Sequence, residues 1–563
     1  MRNKTLIFLF LIVVAGSFLR LYRLSDFPPA LNWDEVSHGY NAYSILKTGA
    51  DEWGEKWPLL SFRAYGDYPL PLNLYLTAPF IFFLGPSEYS IRLPHAILGI
   101  FTIVSTYFLA YGVTKKKSIG AISSFLIAVS PWTLFSSRFV VQSNASVFLL
   151  TTSMALFFNR EKRAYFLPVS FLLLFLTLFS YHSTRIFSAL LLITILIVYR
   201  NEFIKKLKSN NVFSRLSFGI LLAFFVTLLI ILLNPQSRAR GKWVFIINEG
   251  AINKIIEMRN SSNLPYGVKR LIYNRPVYFV VEFAKNYLGY FSPKYLFLGG
   301  GTQYQFSVPN QGLEYLINLP FFYLGLALFV IKAFKKKSLK EKLIIGWLIL
   351  APIPAAVTTE KYAVIRSTTM LPLVEILTAV GLIFVFERLS KERIGKALFA
   401  FSYFIIIFLL LAKYLSIYFG SYSNNYSWSW QYGYKEIVAY AKENYKSYDQ
   451  IIVTKKYGEP HEFFLFYWPW NPADYRNDPN LVRFFQSNWY WVDAFDKFYF
   501  VNDWDITASY HGFVMESGGR VDCTAGEVKC LLITSPKNSP EGWKKLEQID
   551  YLDGKSAFEI YEN

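Results

Sequence analysis

Phe218-Gly219-Ile220-Leu221-Leu222-Ala223-Phe224-Phe225-Val226-Thr227-Leu228-Leu229-Ile230-Ile231-Leu232-Leu233 contains no charged side chain and a single hydroxyl. With its flanks it reaches the length that crosses the hydrocarbon core of a bilayer. Backbone N–H and C=O groups in lipid must bond within their own segment, so the stretch predicts an α-helix. It shows no clean amphipathic period, as expected where lipid wets a helix on all sides. Leu6–Leu19, Leu167–Phe179 and Phe401–Leu411 read the same way. The whole 563-residue chain agrees, at 53% hydrophobic, 19% aromatic and 17% charged, where a soluble domain carries about a quarter charged. The sequence is that of a polytopic α-helical membrane protein.

Threading outward from this stretch gives about eleven transmembrane helices, at 5–21, 92–113, 119–135, 144–158, 165–181, 186–199, 215–234, 316–333, 342–358, 369–386 and 397–419. The net charge of +19 does not indicate nucleic acid, because the cations gather in short loops. Lys115–Lys117, Arg160–Arg163, Lys205–Lys208, Lys335–Lys337 and Arg388–Lys396 share one side if Met1 is cytoplasmic, which is the positive-inside pattern. Polybasic loops also suit anionic membrane lipid. The domain reading is a membrane domain over 1–420, with large outer loops at 22–91 and 235–314, and an extracytoplasmic soluble domain over 421–563. Arg2-Asn3-Lys4 precedes the first apolar stretch as in a signal peptide. No convincing small-residue cleavage site follows, whereas Arg20 and Arg23 do, so an uncleaved first helix is expected. Pro69–Gly85, interrupted by Pro69, Pro71 and Pro79, reads as a helix lying at the interface rather than a span.

Past Phe419 the composition changes. Gly433–Tyr445 predicts an amphipathic helix, and Gln450–Thr454, Phe498–Val501 and Leu531–Thr534 predict strands. Pro540–Ile549 reads as helix, and Asp553-Gly554 as a turn before a strand at Ala557–Tyr561. This is the pattern of a small α/β domain. Cys523 and Cys530, the only cysteines, are spaced to close a short disulfide loop outside the cytoplasm, or to remain free thiols.

The first outer loop carries Asn32-Trp33-Asp34-Glu35, then Tyr40-Asn41-Ala42-Tyr43, then Gly66-Asp67-Tyr68-Pro69. A carboxylate in a cavity at the membrane face can take a proton from an acceptor hydroxyl as general base. Asp34, Glu35 and Asp67 equally suit a divalent cation, and acidic residues also settle at helix N-termini with no further role. Arg138, Arg185 and Arg366 lie at outer ends of spans, where the inside rule disfavours cations. A guanidinium there can grip two oxygens of a lipid-linked phosphate, or simply snorkel to headgroups. His182, within Tyr181-His182-Ser183-Thr184-Arg185, is a candidate acid, base or ligand, though a lone histidine is more often just hydrogen-bonded. No His or Cys at zinc spacing accompanies it. The aromatic runs Tyr426–Tyr434 and Trp489–Trp504 suit stacking on sugar rings, interfacial belts or core. No Walker loop or dinucleotide glycine pattern is evident, which leaves ATP-driven and nicotinamide chemistry without support.

Several motifs come in a telling order: the Asp34-Glu35 pair after the first span, Asp67-Tyr68-Pro69-Leu70-Pro71-Leu72, and Arg92-Leu93-Pro94 opening the second span. Ser130-Pro131-Trp132 with Ser137-Arg138, Tyr181–Arg185, and Trp347–Pro354 before Arg366-Ser367 continue it. The order resembles the polytopic GT-C glycosyltransferases, in particular the family-39-like branch of protein O-mannosyltransferases and the aminoarabinose transferase that modifies lipid A. The resemblance implies a hexosyl- or pentosyltransferase in the plasma membrane. It would move a sugar from a polyprenyl-phosphate-linked donor to an acceptor protein, lipid or glycan on the extracytoplasmic face. It maps the candidate base to Asp34, with Glu35 beside it, and the donor phosphate to Arg138, Arg185 and Arg366. Asp67, Tyr68 and His182 are then candidate substrate contacts. No cofactor is certain; a divalent cation on Asp34 and Asp67 stays open. Gln142 stands where relatives often carry an acidic residue, and no Lys precedes Pro69. The alternative is a transporter or flippase of lipid-linked saccharides, which would place charges near the bilayer midplane. Here the polar residues concentrate in outer loops instead. A third reading, an envelope assembly protein anchored by its helices, does not need outer loops this large.

Overall fold

The computed structural model describes residues 2–208, 211–235, 241, 244–389, 393–507, 512–524 and 526–563. Parts of the basic cluster Arg388–Lys396 and of the loop 235–314 lie outside these residues. The chain divides into two compact units. A helical unit comprises Met1–Tyr22, His95–Ser137 and Val141–Leu415, and an α/β unit comprises Arg23–Pro94, Arg138–Val140 and Ser416–Asn563.

Each stretch expected to span is largely helical. The run Phe218–Leu233 lies on the helix Val212–Leu233, whose Leu222, Leu229 and Leu233 are 67%, 57% and 65% exposed, as lipid-facing side chains are. Four more helices are long and apolar enough to cross a membrane: Glu88–Thr114, Leu316–Lys335, Thr368–Arg388 and Arg393–Asn425. A sixth crossing arises if His182–Val198 and Arg200–Leu207, bent by 81°, count as one. The remaining stretches are shorter helices. The expected span 119–135 is divided at Ser130, whose extended backbone (ψ 130°) before Pro131 ends Lys117–Val129 and begins Pro131–Ser136.

That break leaves helix carbonyls without intrahelical donors. Arg20, fully buried on the first helix, supplies them: Nη1 donates to the carbonyls of Gly16 and Ala128 (3.1 and 3.0 Å), and Nη2 to Ile127 and to Thr133 Oγ1 (3.1 and 3.2 Å). Elsewhere in this unit Leu319–Lys335 packs on Leu373–Arg388 backbone to backbone. A Cβ at Gly325 would lie 1.9 Å from the Leu377 carbonyl oxygen, and one at Gly381 2.0 Å from that of Phe321. Small residues permit such close approach between apolar helices.

The α/β unit is built on a seven-stranded mixed sheet, ordered β2-β3-β4-β1-β7-β9-β8. Its strands are β1 (Gln450–Thr454), β2 (Val482–Gln486), β3 (Trp489–Phe495), β4 (Phe498–Val501), β7 (Cys530–Thr534), β8 (Lys544–Asp550) and β9 (Ser556–Glu562); β5 (Gly512–Val514) and β6 (Arg520–Asp522) form a separate hairpin. Central β1 runs parallel to both neighbours, with Ile451 opposite Phe498 and Leu531. Alternation divides the strand residues between two cores. Ile451, Val453, Phe500, Ile533 and Phe558 face a core that includes the helices Trp33–Thr48, Tyr434–Glu443 and Pro460–Tyr467. Ile452, Leu532 and Val501 face a second core with Phe513 and Val521 of the small hairpin. Cys523 and Cys530 are joined by a disulfide beside it.

The helix expected at Pro540–Ile549 is instead the edge strand β8, antiparallel to β9. Leu546 and Ile549 stand three apart and imitate a helical face. The turn Tyr551–Lys555, closed by Tyr551 N–H donating to the Lys555 carbonyl at 2.8 Å, folds the segment back as a hairpin. Lys544, Lys545 and Glu547 keep that edge charged and polar, which suits an outermost strand. In the aromatic run Tyr426–Tyr434, Trp430 is fully buried and Tyr434 stacks on Phe463 at 3.9 Å, while Trp428 is 47% exposed.

Candidate active site

Asn32 caps the helix Trp33–Thr48 with a reciprocal capping box. Its side chain accepts from the Glu35 N–H at 3.0 Å, and Glu35 Oε2 accepts from the Asn32 N–H at 3.4 Å. The adjacent carboxylates then diverge. Glu35 is fully buried, its two oxygens gripped by Arg92 Nε and Nη2 at 3.0 Å each, and Oε1 also accepts from the Val140 N–H at 3.0 Å. Asp34, one residue earlier, is exposed in the first turn, where the helix dipole favours an anion. The Tyr65 hydroxyl donates to it. Burial, and next the Asp34 charge, hold the Tyr65 phenol well above its ordinary pKa, so it stays a donor.

Two arginines hold the chain that leads to this helix. Arg92 donates to the carbonyls of Leu24, Ser25, Pro28 and Ala30 at 2.6–3.3 Å. Arg138, buried, donates through Nη2 to the carbonyls of Arg23 and Phe27, both at 3.3 Å, and through Nε to the Tyr418 hydroxyl at 3.4 Å. Both guanidiniums are thereby turned toward backbone of the same unit.

Asp67 and Tyr68 shape the loop behind Tyr65. Asp67 accepts from the Tyr68 N–H at 2.8 Å, and its carbonyl from the Ala64 N–H at 3.1 Å. The Tyr68 phenol is pushed up to about 12 by burial and then by its hydrogen bond with Tyr490. Tyr65 stacks on Trp489 of β3, with ring centres 5.2 Å apart. The indole lies on Gly66, where a Cβ would stand 2.4 Å from it, and its Nε1 donates to buried Glu459. Gly458, at φ +116°, leaves room for Trp33, whose ring would meet a Cβ there at 1.9 Å. Tyr65 and Glu459 were not candidates from the sequence, Trp489 entered only as the start of the aromatic run Trp489–Trp504, and Arg92 only as the head of Arg92-Leu93-Pro94 opening the second span. Only long-range closure brings them to Asp34.

His182, Arg185 and Arg366 lie in the helical unit and line one cavity of about 800 Å³. Its walls are mostly apolar, including Ile186, Leu228, Ile231 and Phe245. Arg185 is buried, with Nε donating to the Leu178 carbonyl at 2.7 Å. Arg366 Nη1 donates to Glu360 at 2.8 Å and to Thr358 Oγ1 at 3.2 Å. An apolar cavity with cationic groups at its wall fits an amphiphile bearing an anionic head.

Among the described residues no group of three or more His, Cys, Asp or Glu is arranged to hold a metal ion. Asp34 and Asp67 offer two carboxylates, each already accepting a hydrogen bond, which is a poor oxygen set for a divalent cation.

Residues 10–233 match the family model described as dolichyl-phosphate-mannose-protein mannosyltransferase. No curated protein matches the sequence. Among solved structures, ArnT from Cupriavidus metallidurans bound to undecaprenyl phosphate aligns over 100% of this chain and 98% of its own, at 10% identity and a TM-score of 0.50. The oligosaccharyltransferase of Archaeoglobus fulgidus aligns over 82% of this chain at 16% identity and a TM-score of 0.48, and the match spans 63% of that protein's length. Over its whole length the chain shares the fold of ArnT from Cupriavidus metallidurans.

Proposed function

We propose that this protein transfers a sugar from a polyprenyl-phosphate donor to a hydroxyl-bearing acceptor at the extracytoplasmic face of the membrane. The observation that carries the reading is the division of labour between adjacent carboxylates: Glu35 is consumed by Arg92, while Asp34 stays exposed under a neutral phenol donor. Asp34 takes the proton of the acceptor O–H as the oxygen bonds to the sugar C1. The bond from C1 to the phosphate oxygen breaks, and its electron pair leaves with the lipid phosphate. Arg138 and Arg92 act as scaffold, fixing the irregular segment 23–30 that leads to Asp34. No step requires a cation.

The match over residues 10–233 and the ligand of the ArnT structure support a lipid-phosphate donor. The basic loops and the disulfide support eleven crossings with the α/β unit outside the cytoplasm. The test is release of sugar from a panel of radiolabelled polyprenyl-phosphate monosaccharides by purified protein, wild type against Asp34→Asn. Turnover of one donor that disappears in the variant is expected. No turnover, with labelled lipid crossing reconstituted vesicles, would replace the transferase with a flippase.

A further inference from the structure

The hairpin β2–β3 turns through Ser487 and Asn488, both left-handed (φ 52° and 64°), the geometry that matches strand twist in a two-residue turn. Alternation puts Trp489 and Trp491 on one face, with ring centres 6.0 Å apart. Phe484 stands directly opposite Trp491 across the ladder. All three rings are partly exposed, whereas Val492 and Phe495 of the same strand enter the core. Lys455 Nζ lies 5.3 and 5.4 Å from the ring centres of Phe484 and Trp491. It is held there by Asp493 and, at 3.4 Å, by Glu516, which also accepts from Asn502 at 3.3 Å.

The row therefore runs from Asp34 through Tyr65 and Trp489 to Trp491 and Phe484; Lys455 is buried and spent on Asp493, while the accessible Glu516 carboxylate and Asn502 amide form the rim. Flat apolar faces beside hydrogen-bonding side chains suit a carbohydrate, whose C–H face lies on an aromatic ring while its hydroxyls bond at the rim. An acyl chain would instead need enclosing apolar walls, which the charged rim denies it.

We propose that this row is an acceptor subsite for a saccharide, so that the hydroxyl presented to Asp34 belongs to a glycan or to the sugar of a glycolipid. The proposal rests on the transferase reading for its place beside the base, but its test does not. In nanodiscs, the full-length Asp34→Asn chain is titrated calorimetrically with mannotetraose, chitotetraose, xylotetraose and a Ser/Thr-rich decapeptide. Binding of at least one tetrasaccharide is expected, weakened tenfold or more by Trp491→Ala or Phe484→Ala and largely retained in Trp491→Phe. Phe485→Ala, on the opposite face of the hairpin, should leave it unchanged. Binding by no tetrasaccharide, by the peptide alone, or undiminished in both alanine variants overturns the subsite. Since no donor is consumed, saccharide binding without any transfer would sink the transferase reading alone. Transfer accompanied by binding indifferent to these rings would sink the subsite alone.

Discussion

Replacing Glu35 by Gln removes the anion from an ion pair in which both side chains are fully buried. The guanidinium left behind has no compensating charge, a change that costs about 3–5 kcal/mol. Glu35→Gln should therefore lower thermal stability in detergent and the yield of folded protein, whatever it does to turnover. Asp34→Asn alters an exposed residue, so the melting temperature should hold while transfer falls by about 10²–10⁴-fold, the usual worth of a general base. Tyr65→Phe removes a donor that favours the ionised carboxylate. Folding should persist, and the acid limb of the kcat/KM profile should move to higher pH; an unmoved limb would show that Tyr65 does not tune the base. From sequence the two carboxylates were visible as a pair, but not which one is spent. That depends on Arg92, 57 residues further on, and on how the loop between them closes.

Helix against helix, the contact most sensitive to a single methyl group is Gly325 on Leu373–Arg388. A Cβ there has a backbone carbonyl in its way, which no rotamer change can clear. Gly325→Ala should destabilise by about 1–3 kcal/mol, as overpacking does, and read out as a lower midpoint of thermal aggregation. Helices of the membrane part were legible because a run such as Phe218–Leu233 admits no other hydrogen-bonded state in lipid. The strands β1, β4, β7 and β9 were legible from short β-branched and aromatic runs. β8 was misread because Leu546 and Ile549 share a helical spacing, and hairpin pairing with β9 outweighs that local signal. β2 and β3 were missed because their aromatic residues also fit a membrane belt. Gly66 and Gly458 gave no sequence signal either, since what they accommodate are indoles from distant segments.

Over the molecule as a whole, buried carboxyls make the α/β unit sensitive to pH. Unfolded, Glu459 ionises near 4.5; folded, burial raises it to about 8. Between those values the unfolded chain has released a proton that the folded one keeps, so stability falls as pH rises through the window. Glu52, raised by burial to about 7, and Glu462, raised well above the ordinary range chiefly by burial, act in the same direction. Melting followed by circular dichroism should show this unit most stable near pH 5 and weaker toward pH 8, and Glu459→Gln should flatten part of that slope. The Arg20 clamp bears on how the chain is made. A guanidinium on a membrane helix is costly until it has acceptors, and the Ala128 carbonyl is synthesised 108 residues later. The first helix leaves the ribosome with only one of the cation's four acceptors, the Gly16 carbonyl, already made. It must wait at the translocon or the bilayer surface for the Lys117–Val129 helix, so the two settle into lipid as a pair and the order of synthesis becomes an order of assembly.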